Sequence, residues 1–296
     1  MLTFRTLSEC TLHETIQVWN EGFDGYFVPI KFDEATLISH LFQGDISPTL
    51  SFIALLDGKP AGIVLNAVRE INGKKIAWNG GTGVTKAYRG SGIGQAMIHH
   101  SIQIYKENHV ELATLEALEQ NESAIRLYKK MGYQETKTLH YHSLSNPSSI
   151  DNNLLPSSYK LSMTNSQEIR KIPFYEPLIP WQTQITNKTN REAVILWNEY
   201  DQPIGYASFQ KVYNLNEDFV QSTLHHCKLA SSVQHKKSLY LSLLSHVFPK
   251  TNPAPTNFSY STSNLLMDNH LKEALLAIGF ERKMGQVWMQ QYLTQP

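Results

Sequence analysis

The strongest chemical signal in the sequence is the run Val84-Thr85-Lys86-Ala87-Tyr88-Arg89-Gly90-Ser91-Gly92-Ile93-Gly94. It follows a strand-like segment and opens a helix-like one, the place where a glycine-rich turn turns backbone N–H groups toward an anion. Glycine suits such a turn because a side chain would block a phosphate and because some of the backbone angles are left-handed. Arg89 adds a fixed positive charge beside it. No Gly-Lys-Ser/Thr follows, which speaks against a Walker loop, and the glycines do not space as a dinucleotide fingerprint. Phosphate binding by backbone amides remains, set against a plain helix entry with tight turns.

Other reactive residue types carry less. His99-His100 and His225-His226 are neighbours expected on helix or loop, where adjacent side chains point apart. His140 and His142 would share a strand face and could ligate a metal, but no third ligand is apparent, so no metal site is expected. Cys227 beside His226 lacks the surroundings of a nucleophile. With Cys10 it makes neither a disulfide framework nor a CxxC pair, which points to a reducing, cytoplasmic setting.

Arg89-x-x-Gly92-x-Gly94 resembles the R/Q-x-x-G-x-G/A signature of the GCN5-related N-acetyltransferase (GNAT) superfamily. Downstream, Asn121-Glu122-Ser123-Ala124-Ile125-Arg126-Leu127-Tyr128 with Gly132-Tyr133 is similar to its second motif, N-x-x-A-x-x-L-Y-x-x-x-G-F/Y. The resemblance covers residues 1 to 143. It implies an acetyl-CoA site: Thr82 and Val84 pairing through their backbone with the pantetheine arm, and the amides of Gly90, Ser91, Gly92, Ile93 and Gly94 holding the pyrophosphate. It further implies Asn121 beside the pantetheine and Tyr128 as the general acid for the departing thiolate. A neutral amine would attack the thioester directly and would first have to lose a proton. The strand Ile76–Gly81 has no carboxylate, although many relatives carry a Glu there, so Glu116 on the next strand is the first candidate base. The aromatic segment Phe23–Ile30 would form an acceptor wall.

These residues need elements to position them. Leu2–Leu7 reads as a strand, Leu12–Phe23 as a helix, and Asp33 as the N-cap of a second helix. Asp57-Gly58 and Asn72-Gly73 mark hairpin turns joining strands at Ser51–Leu56, Pro60–Val68 and Lys75–Gly81. Ile93, Met97, Ile98, Ile102 and Tyr105 give one buried face to a helix over Gly92–Lys106. Leu112–Leu118 is a further strand, and Asn121 and Gly132 bracket the last helix. The order predicts a mixed α/β sheet, and the resemblance implies the acyl-CoA N-acyltransferase fold.

The chain has 296 residues, a length that suits two domains. The segment 146–158, rich in Ser, Asn and Pro, reads as a linker between a catalytic domain 1–145 and a second domain 159–296. The second half echoes the first: Pro203-Ile204-Gly205 repeats Pro60-Ala61-Gly62, and Ile278-Gly279-Phe280 repeats Met131-Gly132-Tyr133. The echo lacks the turn glycines around Ser232–Leu241 and places Leu275 where Tyr128 stands, so a tandem with a degenerate second copy is expected. Lys+Arg and Asp+Glu are both 26, without the basic excess of a nucleic-acid binder, and no apolar run is long enough to span a membrane. The expected activity is acetyl transfer from acetyl-CoA to an amine of a small molecule or peptide. A non-catalytic acyl-CoA sensor or interaction module is the alternative.

Overall fold

The structure, a computed structural model, describes residues 1–144, 158–186, 188–249 and 258–293. Apart from Ser158, the expected linker lies outside the described residues. The chain divides into two compact units, Met1–Lys137 with Val287–Pro296, and Thr138–Gln286.

In the first unit the chain runs β1 (Leu2–Thr6), α1 (Leu12–Gly22), α2 (Glu34–Gly44), β2 (Phe52–Leu56), β3 (Lys59–Ile71), β4 (Lys74–Val84), α3 (Ile93–Glu107), β5 (Leu112–Leu118) and α4 (Glu122–Lys130), then enters β6 (Gln134–Leu144). Strands β1 to β4 pair antiparallel in chain order, and β5 joins β4 in parallel. The hairpin turns follow from their residues: Asp57 and Gly58 both have positive φ (50° and 78°), as do Asn72 and Gly73 (52° and 75°). Such mirror-image turns match the twist of the strands they join. Thr11 caps α1 by accepting from Glu14 N at 3.1 Å, and Asp33 caps α2 by accepting from Thr36 N at 2.8 Å.

The apolar face of α3 buries Met97, Ile98, Ile102 and Tyr105 on the sheet, each stabilising by about 1.5–3 kcal/mol. The buried amide of Asn66 is satisfied: it donates to Leu50 O at 2.8 Å and accepts from the Tyr105 hydroxyl at 2.5 Å. The same unit takes in residues from far along the chain. Val287 and Met289, on β12 (Glu281–Tyr292), belong to the core cluster of Ile98, Ile102, Leu115, Tyr128 and Tyr133. The Thr136 hydroxyl donates to Trp288 O at 3.0 Å, and Leu293 N donates to Glu111 O at 2.9 Å.

The second unit contains β7 (Lys160–Asn165), β8 (Glu192–Trp197), β9 (Pro203–Tyr213), β10 (Phe219–Leu229), α5 (Lys236–Val247), β11 (Ser259–Thr262) and α6 (Asn269–Ala277). Its pairing repeats that of the first unit: β7 to β10 antiparallel in order, then β11 parallel to β10. Even an irregularity recurs. In the first unit Asn79 pairs with Asn66 and Gly81 with Leu65, leaving Gly80 as a bulge. In the second, Leu224 pairs with Phe209 and His226 with Ser208, leaving His225 as the bulge. His225 and His226 therefore lie on a strand, not on the helix or loop expected from sequence. The alternation of the preceding residues and the ladder to β9 decide it. Where the first unit has α1 and α2, the second has, among the described residues, only 3-10 turns, Ser166–Lys171 and Trp181–Thr183.

Candidate active site

The parallel pairing of β4 with β5 runs from Ile76 opposite Leu112 to Asn79 opposite Leu115 and stops there. Both strands continue, β4 to Val84 and β5 to Leu118, so they part in a V. The bulge at Gly80 sits at the fork, where an extra residue re-aims a strand. Beyond it β4 stays paired with β3 on its other edge, which leaves the Gly80–Val84 edge facing the gap. That edge includes the backbone of Thr82 and Val84.

Beta strand β4 is glycine-rich for a packing reason. A Cβ on Gly81 would lie 2.6 Å from the Trp19 ring, and one on Gly83 would lie 3.0 Å from the Phe23 ring. Trp19 of α1 and Phe23 just beyond its end thus press onto the strand, and the chain that follows lines the gap. Phe23 stacks near Trp19 (4.2 Å between ring centroids) and meets Tyr26 edge-on at 5.3 Å. Tyr26 meets Phe27 at 5.5 Å. Arg89 pins this segment: its guanidinium donates to Val84 O (3.0 Å), Gly22 O (3.0 Å) and Asp24 O (2.7 Å). The arginine beside the turn therefore also ties the end of β4 to the wall of the gap.

The turn itself has the left-handed angles that only glycine adopts without strain. Gly90 has φ +78° and Gly92, the N-cap of α3, has φ +86°, and a Cβ on either would meet nothing within 4 Å. The Ser91 hydroxyl closes the turn by donating to Tyr88 O at 2.5 Å. The first bond internal to α3 is Ala96 N to Gly92 O, 3.1 Å, so the amides before it point out of the helix end. Ile93 turns its side chain into the core, 5% exposed, and contributes its backbone alone. Gly94 serves close packing: a Cβ there would lie 3.3 Å from Leu127 on α4. These features fit a pyrophosphate at the head of a four-turn helix.

Two titratable side chains approach the fork from opposite faces of the sheet. On β5, Ala113, Leu115 and Ala117 join the cluster that contains Tyr128, so Glu116 points to the other face. Burial pushes the Tyr128 phenol up to about 12, against a hydrogen bond with Thr82 that favours the phenolate. Asn79 donates in turn to the Thr82 hydroxyl at 2.9 Å. Asn121 caps α4, accepting from Ala124 N at 3.2 Å, and its side chain also hydrogen-bonds Tyr26, whose phenol is raised by burial. On the far face, the Trp78 indole N–H donates to Glu116 Oε2 at 2.6 Å. His40 of α2 packs against Trp78, Phe32 and Trp19, and burial lowers its pKa.

The fork thus gathers the residues named from sequence: Thr82 and Val84 on its edge, the Gly90–Gly94 amides at its mouth, Asn121 and Tyr128 on one face, Glu116 on the other. Sequence reading missed Trp78 and His40, and named Tyr26 only within the aromatic segment Phe23–Ile30. Parallel register with β5 puts Trp78 on the same face as Thr114 and Glu116, and that register shows only in the fold. Elsewhere, the rings of His140 and His142 lie 5.9 Å apart, and burial lowers His142 to about 4. Among the described residues, no three His, Cys, Asp or Glu side chains are grouped to hold a metal ion. Burial raises the Cys227 thiol, which keeps it unreactive.

The second unit keeps the frame and loses these parts. His235, at φ +51°, stands as N-cap of α5 where Gly92 caps α3. Leu275 occupies on α6 the place Tyr128 has on α4 and is fully buried. Asp268 caps α6 and accepts from the Tyr240 hydroxyl at 2.8 Å.

A forked parallel pair with a glycine turn at a helix N-terminus is the arrangement of the GNAT fold. The chain matches the model of the acetyltransferase (GNAT) family over residues 13–133. It is 26% identical over 143 residues to an uncharacterized N-acetyltransferase, MJ1207, of Methanocaldococcus jannaschii, covering 46% of this chain and 62% of that one. It is 30% identical over 98 residues to the N-alpha-acetyltransferase MAK3 of Arabidopsis thaliana, covering 33% of this chain and 52% of that one. The chain thus spans less than two thirds of either relative's length. Over all of both chains it has the fold of a tandem GNAT protein from the clavulanic acid biosynthesis pathway, with TM-score 0.60 and 14% identity.

Proposed function

We propose that the first unit transfers an acetyl group from acetyl-CoA to an amine of a small molecule or peptide. The observation that carries this reading is the fork after Asn79 and Leu115, with Tyr128 and Glu116 on opposite faces of it. The edge of β4 at Thr82 and Val84 that faces the gap would hold the pantetheine, the Val84 carbonyl being already taken by Arg89, and the Gly90–Gly94 amides the pyrophosphate. Bound acetyl-CoA would supply the activated acyl group and a thiolate leaving group. Glu116 accepts the proton that the acceptor ammonium must lose, and the freed nitrogen bonds to the acyl carbon as the carbon–sulfur bond breaks. Tyr128, held protonated by burial, donates a hydrogen bond and then its proton to the departing sulfur, and the second proton lost by the newly bonded nitrogen restores the phenol. The Phe23–Ile30 segment, pinned by Arg89, offers the acceptor an apolar wall, as suits an amine next to an apolar group. The name of the Arabidopsis relative, an N-alpha-acetyltransferase, supports a peptide amine among the candidates.

A turnover screen with acetyl-CoA across small-molecule and peptide amines tests the reading, with Tyr128→Phe as control. Turnover that falls about 10²-fold or more in Tyr128→Phe, with acetyl-CoA affinity kept, is the expected result. Tight binding with no turnover on any amine would favour the sensor instead.

A further inference from the structure

We infer that Trp78 is a positioning residue for this reaction: its indole N–H aims the Glu116 carboxylate at the fork. The inference rests on the reading of Glu116 as the proton acceptor. Trp78 sits opposite Thr114, one residue before the last pair of the β4–β5 ladder, and Glu116 lies one residue past that pair. The contact therefore bridges the point where the strands part, and the β4–β5 ladder no longer ties the carboxylate to β4 there. A side-chain bond takes over. At 2.6 Å it is a short contact, and holding Oε2 limits where the carboxylate can reach.

The donor is itself immobile. Trp78 is 2% exposed, with ring carbon Cζ3 only 3.2 Å from where a Cβ on Gly44 would stand and 2.7 Å from one on Gly80. Ile46 lies beside the same two glycines, and His40 packs at 6.4 Å between ring centroids. Two positions without side chains, one of them the bulge, thus leave room for the indole where it reaches Glu116. A tryptophan serving packing alone needs no such aim, but a buried indole N–H needs an acceptor, and here that acceptor is the proposed base.

The experiment replaces Trp78 in the full chain with Phe and, by site-specific incorporation, with benzothienylalanine, which keeps the indole shape and has sulfur in place of N–H. Each is made alone and with Glu116→Gln, and single-turnover rates are measured on the best amine of the screen. For the isostere, kcat is expected to fall 10- to 100-fold, with acceptor KM and acetyl-CoA affinity within about threefold. In the Glu116→Gln background the same replacement should change the rate less than about twofold, since the group it aims is gone. The inference is overturned if the isostere turns over at the wild-type rate while Glu116→Gln is slow, or if the two losses multiply. Wild-type turnover by Glu116→Gln would instead overturn the reading of Glu116, and this inference with it. Trp78→Phe binding acetyl-CoA normally but matching the isostere's loss would support the inference.

Discussion

Replacing Met289 by Ala tests which unit owns the residues beyond Val287. Met289 is fully buried in a cluster with Ile98, Ile102, Leu115 and Tyr128, all from the first 137 residues. A buried Met→Ala change removes its transfer free energy and leaves a cavity, about 2–5 kcal/mol in all. Hydrogen exchange followed peptide by peptide reads this out, because amides that exchange through opening of the unit speed up in proportion to the change in its equilibrium. That cost corresponds to roughly 30- to 5,000-fold faster exchange in α3, β5 and α4. Peptides of α5 and α6 should keep their rates. Leu275→Ala, at a fully buried site of the second unit, should give the reverse pattern. Acceleration by Met289→Ala confined to residues 236–280 would refute the assignment, as would a change of less than threefold in the first unit.

Three further outcomes follow from the site and its surroundings. Gly92→Ala meets no atom within 4 Å, so its cost is the left-handed backbone alone, about 1–2 kcal/mol; acetyl-CoA affinity should fall about 5- to 30-fold by calorimetry, and more than for Gly94→Ala. Arg89→Lys cannot reproduce a planar fork that reaches three carbonyls, so exchange in residues 20–32 should rise and acceptor KM should increase more than acetyl-CoA Kd. His226, held at about 4 by burial against an ordinary value near 6.5, stabilises the second unit fully above pH 6.5; that contribution is lost as pH falls toward 4, up to about 3 kcal/mol. His226→Gln should flatten the acid limb of a urea-midpoint profile over that window, and an unchanged limb would assign the loss to other groups.

Much of the first unit was legible because its signals are local. Asp57-Gly58, Asn72-Gly73, Asp33 and Asn121 each act through the backbone within four residues, and each does in the structure what its type predicts. The glycine turn was legible for the same reason. Glu116 could be named because the β5 strand was clear, but its partner could not, since the Trp78 contact depends on parallel register across 38 residues of chain. The double use of Arg89 was hidden likewise: its acceptors at Gly22 and Asp24 are carbonyls, which carry no side-chain signature. The histidines on β10 were misplaced because an adjacent pair carries no period of its own. Membership of Val287 and Met289 in the first unit has no local mark at all; an apolar strand reads the same whichever core receives it.

That membership also sets an order of events during synthesis. The ribosome finishes Lys137 about 150 residues before it reaches Val287, roughly 8–30 s earlier at ordinary elongation rates. Through that interval Tyr128 and its neighbours lack two of their buried partners, Val287 and Met289. The half that bears the proposed chemistry therefore completes its core after the half that lacks it has been made, and a chain halted between the two would carry the glycine turn without a finished floor beneath Tyr128.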